Sequence, residues 1–266
     1  MAARDGTITL RKSLRQGIES YHMSVVAKST LTLAGADTDM NVTSTASYIY
    51  KIGTVDSVAG QAPVELTTKV EKMDMDGALA TFLGNDKDKL LITTVTTGKI
   101  DSRNRMTIDV NAKVDAKSLL SGTVATTILG PYMEFPEKPI NIGESWDVTI
   151  PKGPTTNKED QKLSAKLVSE KDLDGTPIYL IQVSGTYKTD VNMGEILKAN
   201  PDPDLAQIGE MLIKSTNDVS GEITVDKVTG QTITMHLSIS SKQEVVLPNL
   251  TIPSVSTTTV KVKRDK

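Results

Sequence analysis

The sequence predicts a mainly β protein: one large, curved antiparallel sheet or half-barrel of about ten to twelve strands, with a few short covering helices. Three observations lead there. Apolar and polar residues alternate with a period of two along most of the 266 residues. Turn dipeptides such as Asp174-Gly175 and Thr229-Gly230 punctuate that alternation. Threonine occurs 34 times, and a β-branched hydroxyl side chain suits a pleated, half-wetted surface.

The first strand reads from Tyr21 to Leu33, with Tyr21, Met23, Val25, Ala27, Leu31 and Leu33 on one parity. His22, Ser24, Lys28, Thr30 and Thr32 share the other, and only Val26 is misplaced. Val42, Ala46, Tyr48, Tyr50 and Ile52 repeat the pattern, followed by Val64, Leu66 and Val70. Later runs are Met106 to Ala112, Leu163 to Leu167, Tyr179 to Val183, and Ile233 to Ile239. Clean alternation means one wet and one buried face, which marks antiparallel rather than parallel sheets. Asp76-Gly77 and Asn85 to Asp88 are further hairpin candidates, and Gly153 to Lys158 reads as a loop.

Midway, Phe135-Pro136-Glu137-Lys138-Pro139-Ile140-Asn141-Ile142-Gly143-Glu144-Ser145-Trp146 holds the only tryptophan. Two prolines three apart bar both a helix and a central strand. The segment is expected to be a crossover that carries Trp146 into the core, with a strand resuming through Val148 and Ile150. It divides a single β-rich domain, 1–266, into halves 1–140 and 141–266. Glu71 to Gly77 and Glu170 to Gly175 resemble each other, a faint sign of duplication that convergent turn chemistry explains equally well.

Two stretches break the β pattern. Asp115 to Leu129 has helical character weakened by Gly122 and threonines. Asp202 to Lys214 makes the better helix: Asp202 caps it, Pro203 suits its first turn, and Leu205, Ile208 and Leu212 form a stripe. A sheet with one apolar face needs a cover, and these segments are the expected lid.

Composition excludes much chemistry. Without cysteine there is no disulfide, thiol nucleophile, cysteine-held metal or Cys-linked lipid. A net charge of -3 opposes a nucleic-acid footprint, and no apolar run is long enough to span a bilayer. Neither phosphate-loop nor Gly-x-Ser-x-Gly spacing occurs. His22 and His236 fall on polar parities, so they read as solvated rather than metal-bound. Asp74-Met75-Asp76-Gly77 and Asp172-Leu173-Asp174-Gly175 lack the remaining ligands of a calcium loop and read as turns. With nine aromatics in the chain, sugar-stacking platforms are scarce. The expectation is a protein that is not an enzyme and needs no metal or cofactor.

One face carries a functional reading. Leu31, Leu33, Val42, Tyr48, Tyr50, Met106, Ile108, Met235 and Leu237 either pack as ordinary core, the commoner arrangement, or line a lipid-sized cavity under the lid. A lipid or other apolar ligand is then the expected partner, with self-association through threonine-rich edge strands as the alternative.

The tryptophan segment resembles the P-x-x-P-V-x-x-G-D-x-W signature of a bacterial family of secreted or lipid-anchored proteins of unknown function. Leu14 to Tyr21 is similar to that family's opening strand, and Val219 to Gly230 to its G-x-x-x-x-D-x-x-T-G return hairpin. The resemblance implies a lipoprotein-carrier-like architecture and an extracellular or periplasmic location. It brings no catalytic residues, and the lack of cysteine departs from the lipid-anchored members. Met1-Ala2-Ala3-Arg4-Asp5-Gly6 fits a remnant left behind a removed signal peptide.

Overall fold

The computed structural model describes residues 6–33, 35–76, 91, 93–108, 133–150, 159–192 and 212–265. Eleven strands form one antiparallel, open sheet: β1 (Gly17–Leu33), β2 (Ala36–Ile52), β3 (Gln61–Met75), β4 (Thr93–Asp101), β5 (Met106–Ile108), β6 (Ser145–Ile150), β7 (Gln161–Leu173), β8 (Thr176–Asn192), β9 (Leu212–Asp226), β10 (Thr232–Leu247) and β11 (Leu250–Arg264). Their order is β5-β4-β3-β2-β1-β11-β10-β9-β8-β7-β6. Two meanders therefore meet at the centre, where β1 pairs with β11. The chain passes from one margin of the sheet to the other between β5 and β6. No helix occurs among the described residues, and none there is long and apolar enough to cross a membrane.

The alternation read from the sequence sets the faces. Tyr21, Met23, Ala46, Tyr48, Tyr50, Ile52, Val260 and Val262 are buried on the inner face, while His22, Lys28, Lys261 and Lys263 point outward. Val26, the residue out of step, is exposed on the outer face. Tyr21 and Tyr50 pack edge to face, 5.8 Å between centroids.

Because neighbours run antiparallel, the turns β2–β3, β4–β5, β7–β8 and β9–β10 share one end of the sheet, here the lower end. Short connections β1–β2 and β10–β11 lie at the upper end. Asp174 (φ 52°) and Gly175 (φ 82°) close β7–β8 as a two-residue hairpin, as their sequence predicts.

The lower end also exposes a repeat that alternation alone does not reveal. Thr54-Val55-Asp56-Ser57-Val58-Ala59-Gly60-Gln61 joins β2 to β3, and Thr224-Val225-Asp226-Lys227-Val228-Thr229-Gly230-Gln231 joins β9 to β10. Both fold alike. Asp56 Oδ1 accepts the N–H of Val58 and Ala59; Asp226 Oδ1 accepts those of Val228 and Thr229. Gly60 and Gly230 each donate back to the aspartate carbonyl at 2.8 Å and sit at φ 64° and 68°. Shifting β1–β4 by four places in the sheet superposes their order and direction on β8–β11. By contrast, Glu71 to Asp76 ends β3 at the upper end, whereas Glu170 to Gly175 closes β7–β8 at the lower end.

Two expectations change, and others fall on residues outside the described ones. Leu212, Ile213 and Lys214, read as the end of a helix, open β9 instead, because β8 and β10 take up the backbone groups on both sides. Leu205 and Ile208 lie outside the described residues. So do Asp115 to Leu129, Asn85 to Asp88, Gly153 to Lys158 and Gly77. Trp146 is only half-buried: it stands on a marginal strand and its indole N–H donates to the Glu134 carbonyl at 2.8 Å. The fully buried aromatic of the crossover is Phe135.

The two repeat turns differ in what lies beyond the glycine. A methyl at Gly60 meets nothing within 4 Å, whereas one at Gly230 comes within 2.1 Å of the Arg11 carbonyl oxygen. Gly60→Ala should cost about 1–2 kcal/mol, the left-handed penalty alone. Gly230→Ala should cost clearly more, because the N-terminal segment must move. Urea denaturation of the two variants checks this; equal losses would refute the close packing of residues 11–12 on the β9–β10 turn.

Candidate functional site

The region that organises the molecule is the lower end of the inner face, which the N-terminal segment and the crossover close together. Ile8 and Ile140 form an isolated antiparallel bridge. Lys12 N–H donates to Ser102 O and Ser13 N–H to Thr229 O, both at 2.7 Å. The Arg11 guanidinium donates to the carbonyls of Pro136 (2.8 Å) and Glu137 (2.7 Å). The prolines Pro136 and Pro139 keep this stretch extended and leave carbonyls available as acceptors.

Glu134 draws the margins of the sheet together. Its Oε1 accepts from Arg103 Nη2 at 2.9 Å, in the turn between β4 and β5. Its Oε2 accepts from the Thr149 N–H at 3.4 Å on β6, the opposite margin. Phe135 and Arg103 add two more bonds: Phe135 N–H to Arg103 O, and Arg103 Nε–H to Phe135 O. Buried Asn104 donates to Met133 O. Among the described residues the sheet thus stays open in its strand pairing, while the Met133–Ile140 strap spans the gap at the lower end.

Under the strap lies a buried polar cluster. Lys12 Nζ, fully inaccessible, donates to Glu19 Oε2 at 2.8 Å. Tyr21 Oη donates to the same oxygen at 3.2 Å, and Gln231 Nε2 to Oε1 at 2.9 Å. Arg264 in turn donates to Gln231 Oε1. Burial holds the Lys12 ammonium below the usual lysine range, although the charge and hydrogen bond of Glu19 pull the other way. Reading the sequence by alternation could not find this cluster. Lys12 precedes the first strand, and Glu19 is an acid on the apolar parity, the one signal that was present.

The residues proposed to line a cavity divide into two groups. Tyr48, Tyr50, Met235 and Leu237 are buried among Leu10, Phe135 and Ile140 in the main cluster, with Met106 packed against it. Tyr48 Oη donates to Met23 Sδ at 3.4 Å. Leu31 and Val42 lie towards the upper end and are half-buried. Leu33 and Ile108 end their strands, β1 and β5. Of the lid residues, Leu212 is half-buried at the start of β9. Two shallow grooves, of about 370 and 540 Å³, lie among residues including Lys28, Asp39 and Thr257 and among residues including Ile18, Lys51 and Lys99. Both are on the outer face.

His22 lies outward, 3.3 Å from Asp265 and 3.9 Å from Glu71. His236 is two strands away, opposite Lys261 and Glu222. Among the described residues no group of three or more His, Asp or Glu side chains is placed to hold a metal.

No family model matches the chain, and no curated protein does.

Breaking the buried ion pair from one side should be costly. Lys12→Met leaves the Glu19 carboxylate without its ammonium and should lose about 3–5 kcal/mol, while Lys12→Met with Glu19→Leu should recover most of that loss. Chemical denaturation of both variants tests this; equal losses in both would show that the cluster holds the fold by packing alone.

Alkaline pH supplies a second test. Burial raises the phenols of Tyr21, Tyr50 and Tyr187, the last to about 12. The unfolded chain then holds fewer protons than the folded one above pH of about 10, so stability present below that pH is lost as pH rises towards the raised values. Lys12 acts oppositely: its lowered value adds stability as pH climbs through it towards the ordinary lysine value. Three phenols outweigh one amine, so unfolding is expected above about pH 10. Tyrosinate absorbance should rise together with loss of far-ultraviolet dichroism; a gradual rise in the folded protein would contradict the burial of these rings.

Proposed function

We propose that this chain is a non-catalytic, exported bacterial binding protein that takes an apolar ligand or a lipidated partner against the upper part of its inner sheet face. One observation carries the reading: the lower half of the inner face is packed tight, while the apolar residues Leu31, Val42, Ile213, Val245 and Ile252 above it are only half-buried. An open sheet sealed at one end is a cup for aliphatic chains, and such chains ask little more of a site than apolar area. The resemblance of the Phe135 to Trp146 segment supports an envelope or extracellular setting. Assembly through sheet margins is the second reading. The outer edge of β6 favours it, although Glu134 occupies one of its N–H groups.

Native mass spectrometry of the protein purified gently from its source tests the proposal. Carriage is expected to appear as a monomer with added mass that organic extraction removes. A bare polypeptide mass would overturn it, and a ladder of oligomers without added mass would establish the assembly reading instead.

A further inference from the structure

A band of neutral polar side chains crosses the inner face where the packed core ends. Ser241 Oγ donates to Asn217 Oδ1 at 2.6 Å. Asn217 Nδ2 donates to Ser215 Oγ at 2.9 Å and to the Tyr187 carbonyl at 3.4 Å. Ser215 and Thr189 hydroxyls bond to each other. The register extends the band from β8 across β9 and β10 to Ser256 on β11 and Ser29 on β1. Below it are Val219, Ile239 and Leu237, buried. Above it are Ile213, Val245 and Ile252, half-buried.

The hydrogen-bond inventory of this band is uneven. Asn217 is buried, and its amide is committed to three partners within the protein. The Ser241 proton is committed to Asn217, so its oxygen presents lone pairs alone. The Thr189–Ser215 pair uses one of its two protons internally and keeps the other. Gln243, Ser254, Ser256 and Ser29 on the same inward parity add further donors and acceptors, so among the described residues the band offers neutral groups of both kinds and no charge. Among the described residues no inward register position from Tyr187 to Thr189, Ile213 to Asn217, Ser241 to Leu247, Leu250 to Ser256 or Ser29 to Leu31 carries a charged residue. Among the described residues the nearest inward charges are those of the lower cluster, where Lys12 already faces Glu19. A carboxylate or phosphate placed here would lose its hydration with no cation of the described residues to replace it. A hydroxyl can both donate to Ser241 and accept from the Thr189–Ser215 pair.

We propose that the polar band on β8, β9 and β10 is the head-group site of the binding face, selecting an amphiphile with an uncharged, hydroxyl-bearing head over an anionic one of equal chain length. The inference rests on the ligand-binding reading above and names the ligand class within it. The hydrocarbon chain lies along the half-buried aliphatic positions above the band, and the band supplies the few convergent polar groups that orient a ligand in an apolar site.

The test is direct binding of three probes to the full chain at neutral pH: 1-monooleoylglycerol, oleate and the hydrocarbon diphenylhexatriene. Monooleoylglycerol should bind about tenfold tighter than oleate, the worth of one well-made hydrogen bond. Ser241→Ala and Thr189→Val should each remove most of that preference and leave diphenylhexatriene unchanged, while Ser241→Ala also lowers the thermal transition because it leaves the buried Asn217 Oδ1 unpaired. Ser241→Thr should restore the preference. Oleate binding as tightly as monooleoylglycerol, or a loss shared equally by all three probes, overturns the inference while leaving the carriage reading intact. Binding of none of the three overturns both, as does a dimer whose formation excludes diphenylhexatriene.

Discussion

A sheet that is apolar on one side and eleven strands wide cannot remain uncovered in water. The area it would expose is far larger than the surface patches that soluble monomers tolerate. Much else in this fold answers that constraint. At the lower end the answer is internal: the N-terminal segment and the crossover lie against the inner face, so Leu10, Phe135 and Ile140 join the sheet's own Tyr21, Tyr48 and Tyr50 in one core. Neither segment is a regular element. Each is held through backbone groups and a few long side chains, Arg11, Lys12 and Arg103, whose reach substitutes for a second layer of secondary structure.

That arrangement explains why charge is buried just there. Lys12 must cross beneath the sheet to let Leu10 and Ser13 reach their places, and its ammonium cannot be left bare. Glu19 on β1 neutralises it, and Gln231 and Arg264 tie the same point to β10 and β11. The ion pair is better understood as fixing the register of the N-terminal segment than as a source of net stability, since a buried pair roughly repays its own desolvation. Glu134 plays the corresponding part for the margins. It holds the β4–β5 turn and β6 to one carboxylate without any strand pairing between them.

Sealing one end leaves the other to be satisfied differently. The polar band from Thr189 to Ser29 marks the transition from a face packed like a protein interior to one that is half-open. The lower half is packed tight, and the looser upper half is the face proposed to bind a ligand. The repeated Thr-Val-Asp-x-Val-x-Gly-Gln turns fit the same division. They stand at the tightly packed lower end, where their shared geometry gives the β2–β3 and β9–β10 connections the same closure.

Much of this was legible in the chain. The alternation of Tyr21 to Leu33 and Val42 to Ile52 determines which faces are wet, because side chains on a strand point alternately to opposite sides. Asp174-Gly175 and Thr229-Gly230 determine their turns, because few residues enter positive φ. Two features escaped. Leu212 to Lys214 carry an apolar pattern that suits helix or strand, and only neighbours on both sides decide between them. Lys12, Glu19, Gln231 and Arg264 are far apart in sequence, as are Ser241, Asn217 and Thr189. Nothing local marks such partners, since the strand order that unites them follows from β1 meeting β11. Local periodicity thus settled the sheet and its two faces, and tertiary structure alone decided which polar groups share the buried side, because long-range pairing has no signature within a single strand.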